Sequence, residues 1–148
     1  MADRDLLAAV RDRAEKNAFW RFLGVEVEDA REGWVRLRLP VRDELRNAPG
    51  APVHGGVYAA LVDMAVGGAL STTYMGGAGG TGQATLDLNV SYLAAVSGDV
   101  IFIEGRLLRR GRSVVFGEAT VMDADGTPVA VGRATYLVLP PRPSTSSG

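Results

Sequence analysis

The chain contains no cysteine and only one histidine, His54, among its 148 residues. Without a thiol it can form neither a disulfide nor a thiolate nucleophile, and it cannot build a zinc site from cysteine ligands. A single imidazole also excludes the metal sites that several histidines share. We therefore expect no metal site in this protein.

A surplus of charge of one sign is missing as well, because 16 basic residues stand against 17 acidic residues. This balance offers no electrostatic footprint for nucleic acid or for an anionic membrane surface. No apolar run approaches the length of about 20 residues that spans a bilayer. The first residues carry acids where a signal peptide needs an apolar run. The sequence therefore predicts a cytoplasmic protein that binds neither nucleic acid nor membranes.

The spacing of apolar residues predicts one domain over 1–139, with an N-terminal helical segment over 1–23. The tail over 140–148 is rich in Pro and Ser and is expected to be disordered. One long helix, apolar on every face, lies between two strands and four further strands, which predicts an α+β fold with an antiparallel sheet around a buried helix. The predicted helices cover 3 or 5 to 17, 19–24, and 55 to 74 or 75; a glycine-rich loop covers 75–82; a hairpin covers 24–40, and further strands cover 84–93, 99–109, 113–123 and 128–139.

The start of the long helix carries two glycines after the only histidine, in the order His54, Gly55, Gly56. The first N–H groups of a helix have no intrahelical partner, and the helix dipole attracts a polarised oxygen to them. Unhindered N–H groups at this point would polarise a carbonyl and stabilise the oxyanion formed from it. The alternative is that the glycines only allow close packing or a tight turn.

Asp63 lies in the middle of the same helix, among apolar neighbours. A carboxylate in such a place is costly unless it has a partner or a function, so we consider it a candidate general base or nucleophile. The sequence does not choose between these two roles. The structural alternatives are an exposed strip of the helix or an ion pair with Arg36 or Arg38.

The spacing of Gly55 and Asp63 sets a limit on how they act together. Eight residues of helix separate them by about 12 Å, at 1.5 Å per residue. An aspartate side chain is too short to reach a carbonyl that is held at the start of its own helix. If both groups act on one substrate, they must come from two chains, which predicts a dimer with sites at its interface.

Several motifs in this order resemble the hotdog-fold acyl-CoA thioesterases of the phenylacetate-degradation type, in which a long curved sheet wraps around one helix. The resemblance covers 47–137 and implies hydrolysis of an aryl- or medium-chain acyl-CoA to free acid and CoA. It also implies a homodimer or dimer of dimers with composite sites, and no cofactor, since CoA is part of the substrate. The motifs are Asn47, His54-Gly55-Gly56, Leu61-Val62-Asp63, the strand over 85–93, and the turn Arg110-Gly111-Arg112-Ser113.

The resemblance also suggests roles for individual residues. Asn47 would orient the acid, the water or the carbonyl, although it precedes His54 by seven residues where six is usual; otherwise it is a turn residue. Thr85 would hold the water, and the alternation of the strand places Asp87 and Asn89 on its face. The turn over 110–113 would bind the phosphates of CoA, unless it is a solvated hairpin tip. His54 would shape the loop or donate to the carbonyl. Gly56, Val57 and Tyr58 would lie beside the acyl group, and Tyr92 would contact the pantetheine arm.

Two other functions stay open at this point. A hotdog hydratase or dehydratase needs an acid and a histidine that act together on the acyl chain, and here the only histidine precedes the acid and heads the helix. A non-catalytic acyl-CoA-binding protein would need none of this chemistry. A regulator would also need a DNA-binding segment, and the first 20 residues are too short and too weakly basic for one.

Overall fold

The structure is a computed structural model that describes residues 2–74 and 82–140. Most of the predicted glycine-rich loop, and the predicted disordered tail beyond residue 140, lie outside the described residues. A short 3-10 helix at Asp43–Leu45 lies in the connection before the long helix. The helices are α1 Asp3–Lys16, α2 Ala18–Leu23 and α3 Gly55–Ser71, and the strands are β1 Glu26–Arg31, β2 Trp34–Pro40, β3 Gly82–Tyr92, β4 Val100–Arg110, β5 Val114–Met122 and β6 Pro128–Leu139.

The six strands form one antiparallel sheet in the order β1-β2-β4-β5-β6-β3. Helix α3 packs against one face of this sheet, and strands β1 and β3 form its two edges. The predicted architecture, an α+β fold with a sheet around a central apolar helix, is confirmed. Among the described residues, no helix has the length and apolar character needed to cross a membrane.

The central helix lies unusually close to the sheet, because three strand glycines face it. A Cβ atom on Gly105 would lie 2.6 Å from the backbone of Ala65, and a Cβ on Gly117 or Gly132 would collide with a valine of α3. Gly67 and Gly68, within the helix itself, face side chains of the sheet and of α2 rather than backbone.

Helix α3 ends at Ser71, three residues before its predicted end. The hydroxyls of Thr72 and Thr73 donate to the carbonyl oxygens of Ala69 and Leu70, at 2.6 Å and 2.8 Å. Hydroxyl side chains that bond to nearby backbone carbonyls compete with the helical pattern. The apolar periodicity continues beyond this point and gives no sign of the change.

Helices α1 and α2 pack as a short arm across the open side of α3. Leu6 and Val10 are the buried residues of α1, and Arg11 Nε donates to the carbonyl oxygen of Val27 on β1 at 3.0 Å. The Asn17 side chain accepts from the first N–H groups of α2, and Gly24 ends α2 in a left-handed conformation. This arm covers the part of α3 that carries Asp63.

A β-bulge in β3 decides which side chains of this strand face the helix. The pairing of β3 with β6 shifts by one residue between Thr85 and Asp87. Thr85 is therefore opposite Tyr136 on the helix face, whereas Asp87 and Asn89 lie on the outer face, opposite Thr135 and Arg133. The prediction that Thr85, Asp87 and Asn89 share one face was wrong, because strict alternation does not allow for an inserted residue.

Candidate active site

Asp63 lies on α3 with its carboxylate held by two hydroxyl groups of the sheet. Its Oδ1 atom accepts from Thr85 Oγ1 at 2.8 Å and from the Tyr136 hydroxyl at 2.6 Å. Arg36 and Arg38, the alternative partners, are engaged elsewhere by glutamates of β1 and β4. Asp63 is half-buried, so the buried-helix interpretation is correct and the ion-pair alternative is not.

The Tyr136 hydroxyl stays protonated and donates a hydrogen bond to Asp63. Burial, and the hydrogen bond to the Asp63 carboxylate, raise the pKa of Tyr136 well above its ordinary value. The phenol therefore keeps its proton throughout the physiological range. The same hydroxyl lies 2.7 Å from the backbone carbonyl oxygen of Asp63, so both of its acceptors belong to one residue.

A cavity of about 240 Å³ opens beside the Asp63 carboxylate, between α3 and the arm formed by α1 and α2. The Oδ2 atom of Asp63 has no hydrogen-bond partner among the described residues. This oxygen is available to a water molecule or to a substrate that enters the cavity. The apolar lining includes Val10, Ala14, Phe19, Trp20 and Met64, and the polar lining includes Arg13, Asn17 and Gln83.

The start of α3 offers one backbone donor rather than two. His54 caps the helix, and its Nδ1 atom accepts from the Gly56 N–H at 2.9 Å. The Gly55 N–H has no acceptor among the described residues. The prediction that both glycine N–H groups stay unoccupied was wrong for Gly56, because the histidine ring serves as the helix cap.

The cap also fixes the state of the His54 ring. Since Nδ1 accepts a hydrogen bond, this nitrogen is unprotonated, and Nε2 carries the ring hydrogen. The ring is exposed, so Nε2–H can donate to a ligand near Gly55. This geometry agrees with a loop-shaping role and leaves no base at Nδ1.

Two tyrosines pack beside the start of α3, and they make different contacts. Tyr92 donates from its hydroxyl to the Gly55 carbonyl oxygen at 2.6 Å, and its ring packs against that of Tyr58. The Tyr58 hydroxyl accepts from the Val96 N–H at 3.1 Å, within the core. Val57 and Tyr58 are buried core residues and do not line the cavity beside Asp63. Their predicted place beside the acyl group stays a prediction.

The loop before α3 is tied down by Arg46, which the sequence did not single out. Its guanidinium is almost fully buried and donates to the carbonyl oxygens of Ala51, Ser97 and Gly98. Asn47 follows it, with its backbone N–H bonded to Pro52 and its side chain exposed. The Asn47 side chain has no hydrogen-bond partner among the described residues, so its amide stays available near the helix start.

The basic turn between β4 and β5 lies at the opposite end of α3 from Gly55. Arg110 Nε donates to Thr73 Oγ1 at 3.2 Å, just beyond the end of the helix. The Gly111 N–H donates to the Val114 carbonyl oxygen, so this N–H is not free to bind a ligand. A Cβ atom on Gly111 would collide with that oxygen, which explains the glycine. Arg112 and Ser113 are exposed.

The candidate residues form two groups, one near the middle of α3 and one at its start. One group contains Asp63 and Thr85, at the end of the sheet where the basic turn also lies. The other group contains Asn47, His54 and Gly55, with Tyr92 beneath them. No cluster of three or more potential metal ligands occurs within the described ranges. Within one chain, the two groups have separate neighbours.

Comparison with known proteins agrees with this fold. The sequence model of the thioesterase superfamily matches residues 52–130, which hold α3 and most of the sheet. The chain belongs to the thioesterase superfamily. A Halobacterium salinarum protein whose name assigns it provisionally to the esterases is 39% identical over 142 residues, covering 90% of this chain and 93% of the relative.

Solved structures show the same hotdog fold for this member of the thioesterase superfamily. The PaaI protein of Escherichia coli, from the phenylacetic acid degradation operon, superposes with a TM-score of 0.82 at 16% identity, covering 95% of this chain and 98% of that one. A thioesterase from Haemophilus influenzae gives a TM-score of 0.81 at 22% identity, covering 94% of each chain. At these identities the likeness establishes the fold alone.

Two contributors to this thioesterase-superfamily site were missed from the sequence. Tyr136 lies 73 positions beyond Asp63, on a strand where a tyrosine resembles ordinary core. Gln83 donates from Nε2 to the Gly67 carbonyl oxygen at 3.1 Å and also lines the cavity. Phe19 and Trp20 of α2 also line the cavity. No local motif marks these positions.

Proposed function

We propose that this protein is an acyl-CoA thioesterase that acts as a dimer. The observation that carries the proposal is the Asp63 carboxylate, with Oδ1 held by two hydroxyls and Oδ2 available beside a cavity of about 240 Å³. A positioned carboxylate of this kind suits a base or a nucleophile in ester hydrolysis. The superfamily to which the chain belongs supports this chemistry.

Strand β3 is the surface on which we propose that two copies pair. It is an edge strand, and an unpaired edge readily accepts another strand. Its large apolar side chains are exposed in the single chain, with Leu86 at 56%, Leu88 at 36% and Tyr92 at 53%. Leu93, directly after the strand, is 58% exposed. A second copy of β3 would cover these side chains.

Antiparallel pairing of two β3 strands would also complete the site. Within one chain, Thr85 contacts Asp63 and Tyr92 contacts Gly55, so the two strand positions mark the two groups of candidate residues. A two-fold axis near the middle of the strand would bring the Thr85 end of one copy next to the Tyr92 end of the other. The Gly55 N–H of one chain then approaches the Asp63 carboxylate of its partner.

In this arrangement the thioester carbonyl oxygen accepts from the Gly55 N–H, which stabilises the oxyanion of the tetrahedral intermediate. Asp63 either takes a proton from an attacking water or attacks the carbonyl carbon itself, forming a mixed anhydride that water then hydrolyses. In both routes the C–S bond breaks, CoA leaves as a thiolate that takes up a proton, and the acid is released. Asn47 and His54 Nε2–H supply further donors near the carbonyl oxygen.

The cavity favours an aryl group over a medium fatty chain as the acyl part of the substrate. A cavity of about 150 Å³ accommodates benzene, and the cavity beside Asp63 measures about 240 Å³. The space therefore suits one ring with a short linker or a substituent. Arg112 and Ser113 on the basic turn are exposed and suit the phosphate groups of CoA.

An assay across aryl, short, medium and long acyl-CoA thioesters tests the proposal. We expect release of free CoA, with kcat/KM highest for aryl thioesters. For chains longer than the cavity, kcat/KM should fall by at least about tenfold, because the methylenes that do not fit must stay outside the cavity or overpack it. Following the acyl chain as well as the thiol separates a hydratase, which would consume an unsaturated acyl-CoA without releasing CoA. If no thioester releases CoA faster than the spontaneous rate, the proposed function is wrong.

A further inference from the structure

Gly67 leaves a gap in α3 through which the Tyr136 hydroxyl reaches Asp63. A Cβ atom at Gly67 would lie 2.8 Å from the Tyr136 hydroxyl oxygen and 2.8 Å from Gln83 Nε2. Real Cβ atoms do not approach other atoms so closely, so alanine here would displace both side chains. Glycine inside a helix costs about 1 kcal/mol relative to alanine, and this contact is what the glycine permits.

The hydroxyl holds Asp63 against its own backbone. It lies 2.6 Å from Oδ1 and 2.7 Å from the backbone carbonyl oxygen of the same residue. A donor shared between these two acceptors restricts the rotation of the carboxylate about its side-chain bonds. Thr85 Oγ1 donates to the same Oδ1 atom from β3, so Oδ1 accepts two hydrogen bonds, whereas Oδ2 accepts none from the described residues.

We infer that Tyr136 is a positioning residue for Asp63, admitted by Gly67, which holds the carboxylate in one orientation and leaves Oδ2 for the substrate. The inference rests on the proposed function of Asp63 as base or nucleophile. The titratable and charged groups around the carboxylate among the described residues are Tyr136 from β6, Tyr74 from the turn after α3, and Arg13 from α1.

The variant Tyr136→Phe tests this inference, because it removes one hydroxyl and keeps the ring. We expect kcat to fall about tenfold to a hundredfold, as for loss of a hydrogen bond to a charged group, while KM for the acyl-CoA changes little. A lower kcat at an unchanged KM is the result expected for a carboxylate that is present but wrongly oriented in the transition state.

A second tyrosine provides the matched control. Tyr74 donates from its hydroxyl to Gln83 Oε1 at 2.7 Å and does not contact Asp63. Tyr74→Phe removes a half-buried hydroxyl one hydrogen bond further away, so kcat should stay close to the wild-type value. Gly67→Ala, which leaves the tyrosine intact but blocks its path, is expected to lower kcat in the same way as Tyr136→Phe.

Carbon-13 NMR of the Asp63 carboxyl separates failure of this inference from failure of the proposed function. In the full-length protein, we expect the Asp63 carboxyl resonance to change its chemical shift in Tyr136→Phe and to keep it in Tyr74→Phe, with or without a substrate, because only the first variant removes a hydrogen bond to this carboxylate. If the wild-type protein hydrolyses no acyl-CoA but this change occurs, the proposed function fails and the positioning role stands. If Tyr136→Phe leaves both the chemical shift and kcat unchanged, the positioning role is wrong.

Discussion

Replacing Asp63 with asparagine is expected to lower kcat for acyl-CoA hydrolysis by about 100-fold to 10,000-fold, the usual contribution of a general base or acid. The amide keeps the shape of the carboxylate and an oxygen that can accept from Thr85 and Tyr136. It supplies neither a base nor an anionic nucleophile to the cavity. Hydrolysis measured by thiol release, across the pH range, checks this expectation.

The same variant should keep its fold and its affinity for CoA. Among residues 2–74 and 82–140, no arginine or lysine pairs with the carboxylate, so the variant leaves no buried positive charge there without a partner. Binding of free CoA, measured by calorimetry, should stay close to that of the wild type. Asp12→Asn is a suitable control, since Asp12 is an exposed α1 residue that pairs with Lys16 at 2.7 Å. Retention of more than a tenth of the wild-type kcat in Asp63→Asn would contradict the role of Asp63.

Replacing Gly55 with proline should remove the backbone donor with little damage to α3. Proline is well tolerated at the first position of a helix, where its missing N–H has no helical partner. His54 has φ −61° and ψ 136°, a conformation that is compatible with a following proline. We expect kcat to fall about 100-fold to 1,000-fold, as when one oxyanion donor is lost.

Gly55→Ala is the matched control for this loss, because alanine keeps the N–H. Its Cβ atom would lie 3.4 Å from the Tyr92 ring, an ordinary contact, so the alanine variant should retain most of the activity. Thermal unfolding of the three proteins shows whether the helix start is intact. If Gly55→Pro and Gly55→Ala have the same activity, the Gly55 N–H is not the donor to the carbonyl.

The parts of this protein that follow from local spacing could be predicted from the sequence. The start of α3 at Gly55, the place of Asp63 in a buried helix, and the strand order along the chain depend on patterns of a few neighbouring residues. The helix rise alone showed that Gly55 and Asp63 cannot meet within one chain. The structure agrees, because it places them with separate groups of neighbours.

The parts that depend on long-range contacts could not be predicted in this way. The bulge near Thr85 moves one side chain to the other face of β3, and the alternation of apolar residues does not reveal it. Tyr136 reaches Asp63 only because Gly67 has no side chain, and no local pattern links these three positions. His54 caps the Gly56 N–H only because its ring turns Nδ1 toward this group, and the spacing of residues does not determine that orientation.

Mixing two inactive variants shows whether each site combines Asp63 of one chain with Gly55 of another. Asp63→Asn and Gly55→Pro dimers would be dissociated, mixed and reassociated, and thiol release would be followed. A mixed dimer contains one site with both wild-type groups, so activity should recover to about a quarter of the wild-type value at statistical exchange. Dimers confirmed by sedimentation that exchange subunits but recover no activity would contradict the claim.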